Sequence, residues 1–173
     1  MNDQDNKVIL RVPRGSLDAL AEPMEFDMTE VSVVESRLCE TEHANVNSAN
    51  ALGAVFNTMS LRVGKYSRAV QYELQKARTL LKRREADMLI DEWPGFMEAH
   101  KLNDSKGMRD AFLTKDKTYA DLTDRIDLLT AMEALLSEKK EAFIRGYQQM
   151  KQLYAAEKRD PTYAKPGREY GKE

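Results

Sequence analysis

The chain has 173 residues, 32% of them charged and 8% aromatic, with 8 Gly, 5 Pro and a single Cys. Its 27 bases and 29 acids leave a formal charge of −2, which excludes a uniformly basic nucleic-acid coat but not a local basic patch. The scarcity of Gly, Pro and aromatics favours helix over sheet, a lone Cys39 excludes an intramolecular disulfide and suits a reducing cytoplasm, and no apolar run approaches the roughly 20 residues that span a bilayer.

Met1 to Asn6 is polar and acidic, with no apolar core of the signal-peptide kind, and is expected to be disordered. Val8, Ile9, Leu10 and Val12 form a short apolar run closed by Pro13 and Gly15, a strand or an extended docking peptide. From Ser16 to Thr41 the chain is acidic, Pro23 breaks any helix through it, and Val31, Val34 and Leu38 share one side of a short helix with Thr29 as its cap. Residues 1–45 hold ten acids and four bases. They read as an acidic, partly disordered N-terminal arm that binds a partner, shields the chain's own bases, or caps the core.

Polar residues from Asn45 to Asn50 mark the entry to a long amphipathic helix over Ala49–Asp91. Leu52, Phe56, Met59, Val63, Tyr66, Val70, Ala77 and Leu80 step along one narrow stripe, with Glu73 in the same register. Such a helix is about 65 Å long and needs a partner helix, from this chain or from a copy of it. Between Ser60 and Ile90 eight bases face three acids, a local balance of +5 inside a chain of −2. That face is either solvated surface balancing acidic neighbours or a phosphate-binding surface.

The helix is expected to stop before Pro94, with Trp93, Pro94, Gly95 and Phe96 forming an aromatic turn. Trp93 there is a hydrophobic plug at a corner or, alternatively, a platform for a nucleobase. Ser105 caps a short helix through Met108, Phe112 and Leu113. Thr118, with Asp121 three residues on, opens a second long helix. There Leu122, Leu129, Leu136, Phe143 and Met150 recur every seven residues, with Tyr119, Ile126, Tyr147 and Tyr154 as companions, which is a coiled-coil pattern. Leu128, Met132 and Leu135 widen the apolar face in mid-helix, which suggests that more than two helices meet and that Leu122, Leu129, Leu136, Phe143 and Met150 form an oligomer interface. After Glu157 the pattern stops, and residues 158–173 read as a basic mobile tail with Tyr163 and Tyr170 interleaved.

The expected architecture is therefore all-α: a long antiparallel helical hairpin over 46–157, assembling as a helical bundle or coiled-coil homo-oligomer, between the arm and the tail. Catalytic chemistry is not expected. The chain has no Gly-rich phosphate loop, no Ser–His–Asp or Cys–His arrangement, and only the Cys39/His43 pair at helical spacing, too few ligands for zinc. No metal or cofactor is implied.

The run Leu80-Leu81-Lys82-Arg83-Arg84 resembles the Lys-x-Arg element that ends the first basic helix of the UvsY-type recombination mediators of T-even-like phages. Met108-Arg109, Phe112-Leu113, Thr114 and Asp116-Lys117 follow in the same order as that family's Met-Lys, Val-Leu, Ser and Asp-Lys. The resemblance covers roughly residues 49–154; the acidic arm has no counterpart, and Glu85 stands where the family has an apolar residue. It implies a non-catalytic homo-oligomer that binds single-stranded DNA, contacts a recombinase and the single-strand binding protein, and helps the recombinase displace that protein. It also implies the cytoplasm of a phage-infected bacterium. The DNA-binding residues expected on charge and on this match are Arg68, Lys76, Lys82, Arg83 and Arg84. The alternative is a coiled-coil structural or assembly protein of a phage or bacterium.

Overall fold

A computed structural model of the chain describes residues 7–16 and 19–158. Two 42-residue helices dominate, α2 (Val46–Asp87) and α5 (Lys117–Lys158), each about 63 Å long. Contacts tie Gly53 to Met150, Gly64 to Lys140 and Gln71 to Glu133, so the partner number falls as the position on α2 rises and the pair is antiparallel. The core is their shared seam. Leu52, Phe56, Met59, Val63, Val70 and Ala77 of α2 are buried with Leu129, Leu136, Phe143 and Met150 of α5, and the Phe56 and Phe143 rings lie 6.3 Å apart.

This placement corrects the reading of the heptad residues. Leu122, Leu129, Leu136, Phe143 and Met150 are all buried within a single chain. The α2 stripe covers Leu129, Leu136, Phe143 and Met150 along the hairpin, so their burial needs no second copy, and Leu122 is likewise buried without one. Leu128 and Leu135, expected to widen that seam, remain exposed.

Local signals explain most helix ends. Asn45 caps α2, its side chain accepting from the Ser48 N–H while the Ser48 hydroxyl accepts from the Asn45 N–H, a reciprocal capping box. Ser105 caps α4 (Lys106–Lys115) as expected, accepting from the Met108 N–H. Three ends differ from expectation. The chain stays helical past Pro94, through a π-helical turn at Met88–Glu92 into α3 (Trp93–His100). The Trp93 N–H donates to the Met88 carbonyl across the wide turn, which turns both buried residues, Met88 and Trp93, inward. Pro94 then falls in the first turn of the restarted helix, where its missing N–H is not needed. Helix α3 ends on Lys101 in the left-handed region, with φ of 48°. At the start of α5 the capping side chain is Asp116, not Thr118: its Oδ1 accepts from the Tyr119 N–H at 2.7 Å.

The N-terminal segment, expected to be partly disordered, is an antiparallel hairpin of β1 (Ile9–Ser16) and β2 (Ala19–Asp27), followed by α1 (Thr29–Ser36) and a 3₁₀ segment Arg37–His43. The fold is thus mostly helical, with one two-stranded sheet among the described residues rather than all-α. Pro13 does not end the strand. It sits at a break in register between the Val12–Met24 and Arg14–Ala21 pairs, opposite Pro23, where no ladder N–H is required of either ring. Val12, Met28, Val31 and Val34 are buried in the main core, and Phe26 stacks on Tyr66 of α2 at 4.4 Å. Thr29 starts α1 rather than capping it, its hydroxyl accepting from the Val8 N–H. Cys39 and His43 lie in the 3₁₀ segment, whose three-residue turn does not bring i and i+4 onto one line. Residues 1–6 and 159–173, where disorder and a basic tail were expected, lie outside the described residues; Lys158 ends α5.

Candidate nucleic-acid interface

Along α2 the side turned from α5 carries Lys65, Arg68, Lys76, Lys82 and Arg83, which on an α-helix fall within about 120° of arc. No acid shares that arc: of the three acids counted between Ser60 and Ile90, Glu73 points into the core, and Glu85 and Asp87 lie past the last of these cations. The stripe from Lys65 to Arg83 is about 27 Å long. Among the described residues none of these five takes part in an ion pair; Arg68 directs only its Nε to the Gly64 carbonyl of its own helix, at 3.2 Å. At its middle stands Tyr72, 70% exposed, with Arg68 and Lys76 one turn away on either side. Tyr72, Gln75, Lys76, Thr79, Leu80 and Arg83 line a shallow depression there.

The N-terminal segment leaves this stripe open. It packs on one flank of the hairpin, where Glu30 pairs with Arg62 and Glu35 accepts from the Lys139 ammonium at 2.6 Å. Of the basic segment, the arm's acids engage Arg62 alone among the described residues. On the other flank a groove runs between α2 and α5, lined by small residues such as Gly53, Ser60, Gly64 and Ser67 on α2. Arg68, Lys140 and Lys151 bring positive charge to it, and Glu133, bonded to Gln71 at 2.8 Å, brings the one acid among its lining residues.

Arg84 does not belong to this surface. It lies about 100° round the helix from Arg83 and turns toward α5. Its Nη2 and Nε meet the Asp116 carboxylate at 2.7 and 3.1 Å, and its Nη1 meets Glu92 at 2.8 Å. The Asp116 hydrogen bond raises the guanidinium's pKa, and the same contact holds the Asp116 carboxyl below the usual carboxylate range, helped by the N–H groups of Tyr119 and Thr118. One carboxylate thus caps α5 and clasps the end of α2. Arg84, expected to bind phosphate, is a structural residue.

A second internal pair lies midway along the hairpin. Glu73, in register with the apolar stripe, is buried and accepts from Arg125 Nη2 at 3.2 Å; the same nitrogen donates to the Pro13 carbonyl at 3.1 Å. One guanidinium therefore joins α2, α5 and the strand break at Pro13. Trp93 is also structural: it is buried, with Phe96 and Phe112 centred 5.8 and 5.2 Å away, so its ring offers no face to a base.

Of the residues expected to bind DNA, the fold brings Arg68, Lys76, Lys82 and Arg83 onto one surface, and Lys65 and Tyr72 share that surface with them. Projection from Arg68 at steps of three and four finds both. Lys140 and Lys151 could not be found that way, because only the packing of α5 against α2 brings them to the groove that Arg68 also lines. Among the described residues no three His, Cys, Asp or Glu side chains gather as metal ligands, and no helix is long and apolar enough to cross a membrane. No family model, curated protein or solved structure matches this chain.

Proposed function

We propose that this chain is a non-catalytic protein that binds single-stranded DNA, gripping its phosphates with Lys65, Arg68, Lys76, Lys82 and Arg83 on the outer face of α2. The observation that carries the reading is an acid-free helix face whose cations make no ion pair among the described residues, on a chain of net charge −2. Phosphate binding gives such concentrated charge a use, because each neutralised phosphate releases condensed counterions. The resemblance in the Lys82-Arg83-Arg84 region supports a more specific role within the same proposal. In it the protein self-associates, contacts a recombinase and a single-strand binding protein, and acts as a recombination mediator in an infected bacterial cytoplasm.

Fluorescence anisotropy with a labelled oligo-dT across a salt series tests this. Five cations, each meeting one phosphate, give a log–log salt slope of about −3.5, since each contact on a single strand contributes about −0.7. Lys82→Ala with Arg83→Ala is expected to weaken binding and make the slope shallower by about 1.4. Wild-type protein that binds no oligo-dT at low salt rejects the proposal in favour of a coiled-coil structural or assembly protein. Light scattering on the same samples tests self-association.

A further inference from the structure

We infer that Tyr72 is a stacking platform for an unpaired nucleobase, so that the α2 surface reads single strands through their bases as well as their charge. The inference rests on the nucleic-acid reading above and sharpens it from a phosphate surface to a base-contacting one. Tyr72 is 70% exposed, and among the described residues its ring packs on no other ring and its hydroxyl has no hydrogen-bond partner. No described residue engages this side chain through a ring or a hydrogen bond, whereas Tyr66, six residues earlier on the same helix, stacks on Phe26.

Its surroundings fit a nucleotide. Arg68 and Lys76 stand at i−4 and i+4, one helical turn to each side, where they can take the phosphates flanking a base laid on the ring. Gln75 and Thr79 border the same depression with amide and hydroxyl groups, and Leu80 supplies an apolar floor beside the ring. A base face stacks on an aromatic ring whatever its sequence, which suits a protein that must accept any single strand. In a duplex both faces of each base are already stacked, so Tyr72 adds nothing there and discriminates against it.

The experiment compares wild type, Tyr72→Leu and Tyr72→Phe on oligo-dT, on an abasic oligonucleotide of equal length, and on duplex. Leu keeps the helix and the apolar bulk but removes the aromatic face. Tyr72→Leu is expected to lower affinity for oligo-dT by about 5- to 10-fold, the weaker part of the range for base–aromatic stacking because the ring sits on a convex surface. Its affinity for the abasic strand and its salt slope are expected to match wild type, and Tyr72→Phe is expected to bind like wild type. Tyr72→Trp gives a direct signal: its emission is quenched by oligo-dT but not by the abasic strand, over a constant background from buried Trp93. Equal binding of oligo-dT by Tyr72→Leu and wild type overturns the inference while leaving the phosphate reading standing. An equal loss on dT and abasic strands also overturns it, because the loss is then not of stacking. Wild type that binds neither strand overturns both.

Discussion

Arg84→Ala separates the two roles that a basic helix end can play. The side chains of Arg84 and Asp116 are 28% and 17% exposed and meet through two hydrogen bonds, with Glu92 on the third nitrogen. An exposed pair is worth about 0.2–1 kcal/mol and breaking a fully buried one costs about 3–5 kcal/mol, so this half-covered fork is placed at about 1–2 kcal/mol. For a chain of this length that corresponds to a fall in Tm of about 3 to 6 °C, readable by circular dichroism. The effect carries a pH signature. The folded-state pKa of Asp116 is depressed, so its contribution is fully present above the unfolded carboxylate pKa, about 3.9, and is lost as pH falls through the lower folded value. Wild type and Arg84→Ala are therefore expected to differ at pH 7 and to converge in acid. Oligo-dT affinity at 25 °C is expected to stay at the wild-type level, while Lys82→Ala with Arg83→Ala shows the reverse: weakened binding and unchanged Tm. A variant Arg84→Ala that keeps the wild-type Tm and loses DNA affinity would refute this assignment and return Arg84 to the binding surface.

Glu73 and Arg125 are only 4% and 13% exposed, so Glu73→Ala takes the buried carboxylate from a covered guanidinium and is expected to cost about 3 kcal/mol in urea unfolding; an apolar pair, Glu73→Leu with Arg125→Met, should recover most of that loss. Leu136→Ala opens a cavity in the seam between α2 and α5 and is expected to cost about 3 kcal/mol while leaving the native mass by light scattering unchanged; a change of mass without loss of stability would place the seam between copies instead. The glycines should split by packing. At Gly146 a Cβ would lie 2.9 Å from the Leu38 Cδ2 and 3.1 Å from a ring carbon of fully buried Phe56, so Gly146→Ala is expected to destabilise by about 1 kcal/mol or more, despite better helix propensity. At helical Gly95 and Gly107 a Cβ meets nothing within 4 Å, and Ala at each should raise stability by up to about 1 kcal/mol.

The amino-acid sequence by itself determined the two long helices, the faces they bury and the concentration of positive charge on the first. Periodicity in one segment is a local property, set by 3.6 residues per turn, and the stripes at Leu52–Ala77 and Leu122–Met150 are visible without knowing what meets them. It could not say what covers a stripe. A seven-residue repeat suits a partner in the same chain as well as one in a copy, and the choice rested on α2 and α5 presenting matching apolar stripes in antiparallel register. Ion-pair identity was hidden for the same reason. Arg84 and Asp116 are 32 residues apart and Glu73 and Arg125 are 52 apart, so nothing near either residue marks it as paired rather than free. Pro13 and Pro94 misled because a proline's effect depends on whether its missing N–H is wanted, and tertiary structure placed one at a strand irregularity and the other just after a π turn. Lys82 and Arg84, two residues apart in one basic run, have different surroundings because the helix turns one outward to solvent and the other onto the Asp116 carboxylate.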